Sequence, residues 1–179
     1  MKILKTYKRK EAIKTLSIEQ LKYLDEVLRE AYILDYWVLD SEDEEFHFLS
    51  ISLQKEILEH DDFVGDASDK KYNELILLAL ASLYRGVTNE FLAKAFFLVK
   101  HDEILLEGEV ETLLSCPCCQ YETLDAYAEY DICRLCMWED DGSGTDNFSC
   151  VNGKTLREAR EKFMQILHTL PLDKFKRSV

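Results

Sequence analysis

The chain has 179 residues, of which 47% are apolar and 32% charged, with a formal net charge of −13 and only two prolines. That is enough apolar material for one or two packed cores, and it excludes long disordered linkers. No apolar run reaches eighteen residues, which argues against a membrane span, and the charged start lacks an apolar signal core, so a cytoplasmic protein is expected.

Charge is unevenly spread. Residues 1–16 hold six basic and one acidic side chain, while residues 17–111 hold eight basic and twenty-three acidic ones. The start, with Lys8-Arg9-Lys10, reads equally as a short helix or an irregular arm, and its role either as a solvated edge or as a nucleic-acid arm. The middle reads either as a solvated, soluble surface or as a field that repels phosphate backbones and attracts a basic protein. Ser17 and Gln20 have capping-box spacing, and Ile18, Leu21, Leu24, Val27, Leu28 and Ala31 recur at helical intervals, predicting a helix over 18–37. Ser41 and Glu44 suggest a second box and a helix to 59, carrying Phe46, Leu49, Leu53, Ile57 and Leu58 inward. Residues 60–69, with Gly65 and four aspartates, read as an acidic loop. Asp69 or Ser68 caps a third helix over 70–84, with Leu75, Ile76, Leu78 and Leu83 inward, and a fourth runs over 89–99, burying Phe91, Leu92, Phe96 and Val99. Beyond His101 the periodicity weakens. Ile104–Leu106 and Val110–Leu114 read either as short strands around Gly108 feeding the next module or as a helical extension.

The densest chemistry lies further on. Cys116-Pro117-Cys118-Cys119 is followed, after thirteen residues, by Cys133-Arg134-Leu135-Cys136. Cys116, Cys119, Cys133 and Cys136 make two Cys-x-x-Cys pairs. Each such pair converges two thiolates on one ion, and two pairs complete the tetrahedral sulfur shell of structural Zn2+. A four-thiolate shell leaves no open position, so the metal would hold the fold rather than catalyse. Cys118 either replaces Cys119 as a ligand or is a thiol beside the metal, suited to a redox switch. Cys150 is expected as a small buried apolar residue.

The Cys116–Cys119 run, Tyr121, Thr123, Leu124, Tyr130-Asp131-Ile132-Cys133, Cys136, Trp138-Glu139-Asp140-Asp141-Gly142, Asn152, Leu156, Glu158-Ala159-Arg160 and Phe163 resemble the cysteine-rich CPCC domain of bacterial proteins over roughly 113–167. Gln120 stands where that family usually has glycine and Arg134 where proline is frequent, so the first knuckle turn is expected to differ. The resemblance implies a metal module, a bacterial origin and an association with toxin systems, but no reaction. Trp138 should pack on the module. Glu139, Asp140 and Asp141 read either as a partner contact or as a solvated, capping loop. Thr155 and Glu158 form a third capping box, opening a helix over 156–168, and Lys174, Lys176 and Arg177 make a basic tail.

The expected fold is mainly α: a four-helix N-terminal cluster in an acidic domain, 1–111, followed by a zinc-ribbon β-hairpin module with a C-terminal helix, 112–179. No phosphate-cradling loop, nucleophile elbow or zinc-protease helix occurs, and the zinc-deaminase pattern is incomplete. A non-enzymatic role follows: an intracellular immunity protein neutralising a basic toxin, with Glu42, Glu44, Glu45, Asp61, Asp62 and Glu139–Asp141 as partner contacts. The alternative is a zinc-ribbon regulator contacting nucleic acid. It is disfavoured because Arg134 is the sole basic residue between Cys116 and Asp146.

Overall fold

The computed structural model describes residues 4–178. These fall into two compact units: one formed by the chain up to Arg85 together with Ala95–Gly108, the other by Gly86–Lys94 together with the chain from Glu109 onward. The chain passes between the units near 86, 94 and 108, so residues 86–94 belong with the second unit.

In the first unit, strand β1 (Lys5–Lys8) pairs in parallel with β2 (Ile104–Glu107), Lys5 opposite Ile104 and Lys8 opposite Glu107. The basic start is therefore neither a free arm nor a solvated edge along its whole length. Helix α1 (Arg9–Leu21) follows at once, and the Glu11 carboxylate accepts the Lys8 amide at 3.3 Å. Arg9 is buried, its guanidinium donating to the Tyr84 carbonyl at 2.8 Å. Ser17 is not a cap: it lies inside α1, buried, its hydroxyl without a partner.

The single helix expected over 18–37 is two. α1 ends at Leu21, and α2 (Glu26–Tyr36) starts behind Asp25, whose carboxylate accepts the Leu28 amide at 2.9 Å. A short acid three residues before an unpaired amide stabilises a helix start more than a continuous helix. Ser41 likewise opens no helix. Asp40 and Asp43 carboxylates take the amides of Glu42 and Asp40 at 2.7 and 2.9 Å and hold a turn. A 3-10 turn (Glu45–Phe48) follows, and α3 runs only over Ile51–Glu59. Asp69 does cap as expected, accepting from Lys71 at 3.0 Å ahead of α4 (Asn73–Ser82); α5 spans Asn89–Lys100. Among the described residues up to 100 there are thus five α-helices where four were expected.

The core of this unit joins Ile33 of α2 and Trp37 just after it, Phe46, Leu53 and Ile57 around α3, Tyr72 just before α4, and Leu75, Ile76 and Leu80 along α4. The inward face read from sequence was right for Leu75 and Ile76 and leaves Leu78 half-buried, but Leu58 of α3, Leu83 just beyond α4, and Val99, on the outward apolar face of α5 with Phe97 and Leu98, are exposed. Polar clamps fix the packing. The Arg29 guanidinium donates to the Ala67 carbonyl at 2.7 Å and to Asn73 Oδ1 at 2.9 Å, and Trp37 Nε1 donates to the His60 carbonyl at 2.9 Å. Tyr72 donates its hydroxyl to Glu56 at 2.6 Å, and the same carboxylate takes Lys71 at 2.9 Å.

The second unit is built from short antiparallel hairpins. β3 (Leu114–Ser115) pairs with β4 (Glu122–Leu124), β5 (Asp131–Ile132) with β6 (Glu139–Asp140), and β7 (Phe148–Ser149) with β8 (Lys154–Thr155). Helix α6 (Leu156–Ile166) starts at the expected box: Thr155 Oγ1 accepts from Glu158 N at 3.2 Å, and Glu158 accepts from Thr155 N at 2.7 Å. The residues read as a basic tail form an edge strap. Val87 bridges Phe175 and Tyr121 bridges Arg177, both antiparallel, with Glu122 N donating to the Lys176 carbonyl at 2.8 Å. Lys174 sits 5.2 Å above the Phe175 ring, and burial pulls its pKa down. Among the described residues no helix is long and apolar enough to cross a membrane.

Candidate metal centre

Each Cys-x-x-Cys segment caps one hairpin: Cys116–Cys119 joins β3 to β4, and Cys133–Cys136 joins β5 to β6. The two tips repeat one backbone pattern. In the first, Gln120 N donates to the Cys116 carbonyl at 2.9 Å and Cys116 N to the Tyr121 carbonyl at 2.9 Å. In the second, Met137 N donates to the Cys133 carbonyl at 2.9 Å and Cys133 N to the Trp138 carbonyl at 2.8 Å. Both turns are completed by a left-handed residue, Gln120 at φ 66° and Met137 at φ 61°. The first knuckle turn, with Gln120, thus has the same form as the second, with Met137. A side-chain-bearing residue is held in a conformation that glycine adopts at lower cost.

The turns aim sulfur inward. The Sγ atoms of Cys116, Cys119, Cys133 and Cys136 all lie within 4.8 Å of one another, with Cys116 and Cys136 at 3.6 Å and Cys119 and Cys133 at 3.5 Å. Tetrahedral zinc with Zn–S bonds near 2.3 Å spaces its sulfurs by about 3.8 Å. The donor set and its spacing fit such an ion.

The surroundings favour negative sulfur. Cys133 Sγ accepts from Thr123 Oγ1 at 3.0 Å and from the amides of Leu135 and Cys136 at 3.4 Å; Cys116 Sγ accepts from Cys118 N at 3.3 Å. Cys133 is pushed far toward the thiolate by hydrogen bonds from Cys116, Cys119 and Cys136, with Thr123 adding to them. Cys136 and Cys116 are pushed the other way, chiefly by donating to those same sulfurs. Four crowded thiols cannot all ionise unaided. A divalent cation at their centre removes that conflict, which is why such clusters bind metal with release of protons.

The module is braced around the sulfurs. Trp138 is buried, as expected from its sequence position. Asn152 donates to the Glu139 carbonyl at 2.7 Å and accepts the Glu139 amide at 3.0 Å, tying the β7–β8 turn to β6. Arg160 of α6 donates to the Pro117 carbonyl at 2.9 Å, fixing the first tip. Cys118 is buried beside the four-sulfur cluster without joining it, and Cys150 is exposed, not buried as expected, in the turn after β7.

The acidic candidates separate into two groups. Glu42, Glu44, Glu45, Asp61 and Asp62 are all exposed in the first unit. Asp140 is buried, and its carboxylate accepts the Ala128 amide at 3.0 Å, so it holds the loop before β5 and offers no surface contact. Asp141 accepts from Ser149 Oγ at 2.7 Å and Ser143 N at 3.1 Å, and these bonds lower its pKa, the serine hydroxyl most. Of the acidic turn, Glu139 and Asp141 remain half-exposed. Sequence reasoning did not single out Thr123 as a sulfur partner: its hydroxyl meets Cys133 only after β4 and the second knuckle are folded together.

Neither a search of curated proteins nor one of solved structures finds a match. The segment that carries both knuckles and α6, residues 114–167, matches the family described as Cysteine-rich CPCC.

Proposed function

We propose that the chain is a non-catalytic, zinc-stapled binding protein whose acidic first unit meets a basic protein partner, as an intracellular immunity protein meets a toxin. Zn2+ held by Cys116, Cys119, Cys133 and Cys136 would crosslink the two hairpin tips, leave no coordination position for substrate and supply folding energy instead of chemistry. The observation that carries the metal reading is the four-sulfur cluster. What supports the partner reading is the exposure of Glu42, Glu44, Glu45, Asp61 and Asp62 in a region holding fifteen more acidic than basic side chains. The Trp37 bond to the His60 carbonyl brings the end of α2, just ahead of Asp40–Glu45, to the start of the Asp61–Asp62 loop. Carboxylates gathered in this way raise the encounter rate with a positive surface and penalise like-charged competitors.

The test is co-expression with the product of the neighbouring gene. Rescue of a toxic neighbour, abolished when Glu42, Glu44, Glu45, Asp61 and Asp62 are changed to Gln and Asn, supports the immunity role. Salt-dependent binding to DNA or RNA in place of rescue would turn the reading to a zinc-ribbon regulator.

A further inference from the structure

Helix α2 buries one face and leaves the opposite face apolar as well. Ile33 is fully buried, and Arg29 turns the same way, bound to the Ala67 carbonyl and Asn73. On the other side Val27, Ala31 and Leu34 are exposed. Steps of four and three residues set them in one line along the helix, away from Ile33. The apolar positions continue past both ends of α2: Tyr23, four residues before Val27, is 84% exposed, and Val38, four after Leu34, is 81% exposed. Single exposed apolar side chains are ordinary on a protein surface. Apolar side chains lined up at the seam spacing of paired helices mark a contact.

The rim of this stripe gives the sign of its partner. Glu30 and Asp35 border the line on opposite sides, and Glu26, one turn before Glu30, extends the first flank. All three are exposed, and among the described residues none is ion-paired. Residues 23–43 hold seven acidic side chains and one basic, Arg29, whose guanidinium is used inward. In paired helices the residues beside the apolar seam select the partner by charge. We infer that the Val27–Ala31–Leu34 stripe of α2 is a docking surface for an amphipathic helix of a basic protein, its apolar seam flanked by lysine or arginine. The inference rests on the partner reading above for the partner's basic character, and it names the surface and the element that meet. Apolar burial in the seam supplies affinity, while the rim charges set orientation and reject acidic helices. A second copy of this chain fits poorly: it would set acidic rim against acidic rim on a molecule of net charge −13.

The experiment measures binding of the full-length protein to labelled synthetic peptides by fluorescence anisotropy. The first peptide is helical, with leucine at the seam positions and lysine beside them. The second has the same composition with its leucines scattered round the helix, and the third has the leucine seam flanked by glutamate. The first is expected to bind about tenfold more tightly than either of the others, and the double variant Val27→Gln, Leu34→Gln to lose about that factor. Glu30→Gln with Asp35→Asn should lose less and weaken the salt dependence. In the unmodified protein, amide shifts on adding the first peptide should fall on residues 26–38, a readout that needs no variant to fold. No binding of the first peptide, equal binding of the first and second, or shifts confined to other segments overturns the stripe and leaves the general acidic surface standing. Self-association of the unmodified chain that Leu34→Gln abolishes overturns it in favour of a second copy. A neighbouring gene without a toxic product would count against the immunity reading, while the peptide series would still judge the stripe.

Discussion

Thr123 donates its hydroxyl to the Cys133 sulfur over 3.0 Å, from a side chain with no exposed surface. A partner of this kind orients a thiolate and lowers the cost of keeping it charged. Thr123→Val keeps the shape and removes the donor. We expect it to weaken metal affinity by about tenfold or more, the usual cost of losing a bond to a ligand. Thr123→Ser should restore most of the loss. Chelator competition checks the affinity, and the sulfur-to-metal bands of the cobalt-loaded protein report whether the site geometry is kept.

A metal held by the four-sulfur cluster should act on one unit first. Removing it with a strong chelator, or making Cys133→Ser, is expected to expose the amides of residues 114–167 to exchange before those of α2 and α4. Hydrogen-exchange mass spectrometry resolves the two. Simultaneous loss of protection in both would mean that the staple supports the whole chain.

Ser17 offers a test with a clear sign. As a helix cap, its replacement by alanine would cost about 1 kcal/mol. Buried inside α1 with an unpartnered hydroxyl, Ser17→Ala is expected instead to stabilise, by roughly 1 kcal/mol from the removed orphan group and the better helix former. Urea unfolding measures the difference.

The left-handed turns can be relaxed. Met137 is exposed and held at φ 61°, so Met137→Gly is expected to raise stability by about 0.5 kcal/mol or more, after the greater freedom of glycine in the unfolded chain is subtracted. A lower melting temperature would mean that the contacts of the Met137 side chain outweigh the relief of its left-handed backbone.

Acid should loosen the first unit through Glu56. Burial pushes this carboxyl up from 4.5, but the bonds from Tyr72 and Lys71 outweigh it, and the pKa in the fold is lowered. A depressed carboxyl contributes stability that is fully present above its unfolded pKa and lost as pH falls through the folded one. Stability should therefore decline below about pH 4.5, and Glu56→Gln should flatten that decline. Melting temperature against pH in both proteins checks it.

The legible parts of this chain were those where the signal is local. The two Cys-x-x-Cys tips, the Thr155–Glu158 box, the Asp69 cap and the inward faces of Leu75 and Ile76 depend on residues within one or two turns. What sequence hid was decided at long range or by competition. Asp25 wins the chain from a continuous helix, although Ser17 and Gln20 satisfy the same spacing rule. β1 was not legible because Lys5–Lys8 lacks apolar alternation and forms only against β2. The basic tail became a strap because its pairing partners, Val87 and Tyr121, are far away in the chain. Cys150, read as a small apolar residue, lies in an exposed turn that no periodicity describes.

The parallel pairing of β1 with β2 carries a consequence for synthesis. Lys8 and Glu107 are joined by an ion pair at 3.0 Å across a separation of 99 residues. On a ribosome adding roughly 5–20 residues per second, β1 emerges some 5–20 s before its partner strand exists. During that interval its amides and carbonyls form an open edge, of the kind that recruits other chains. Three of its four residues are lysine or threonine, and the next three are Arg9, Lys10 and Glu11. Density of charge at a waiting edge is a protection against mispairing. The basic beginning of an otherwise acidic chain thus has a use in the nascent protein that ends once Ile104–Glu107 arrives.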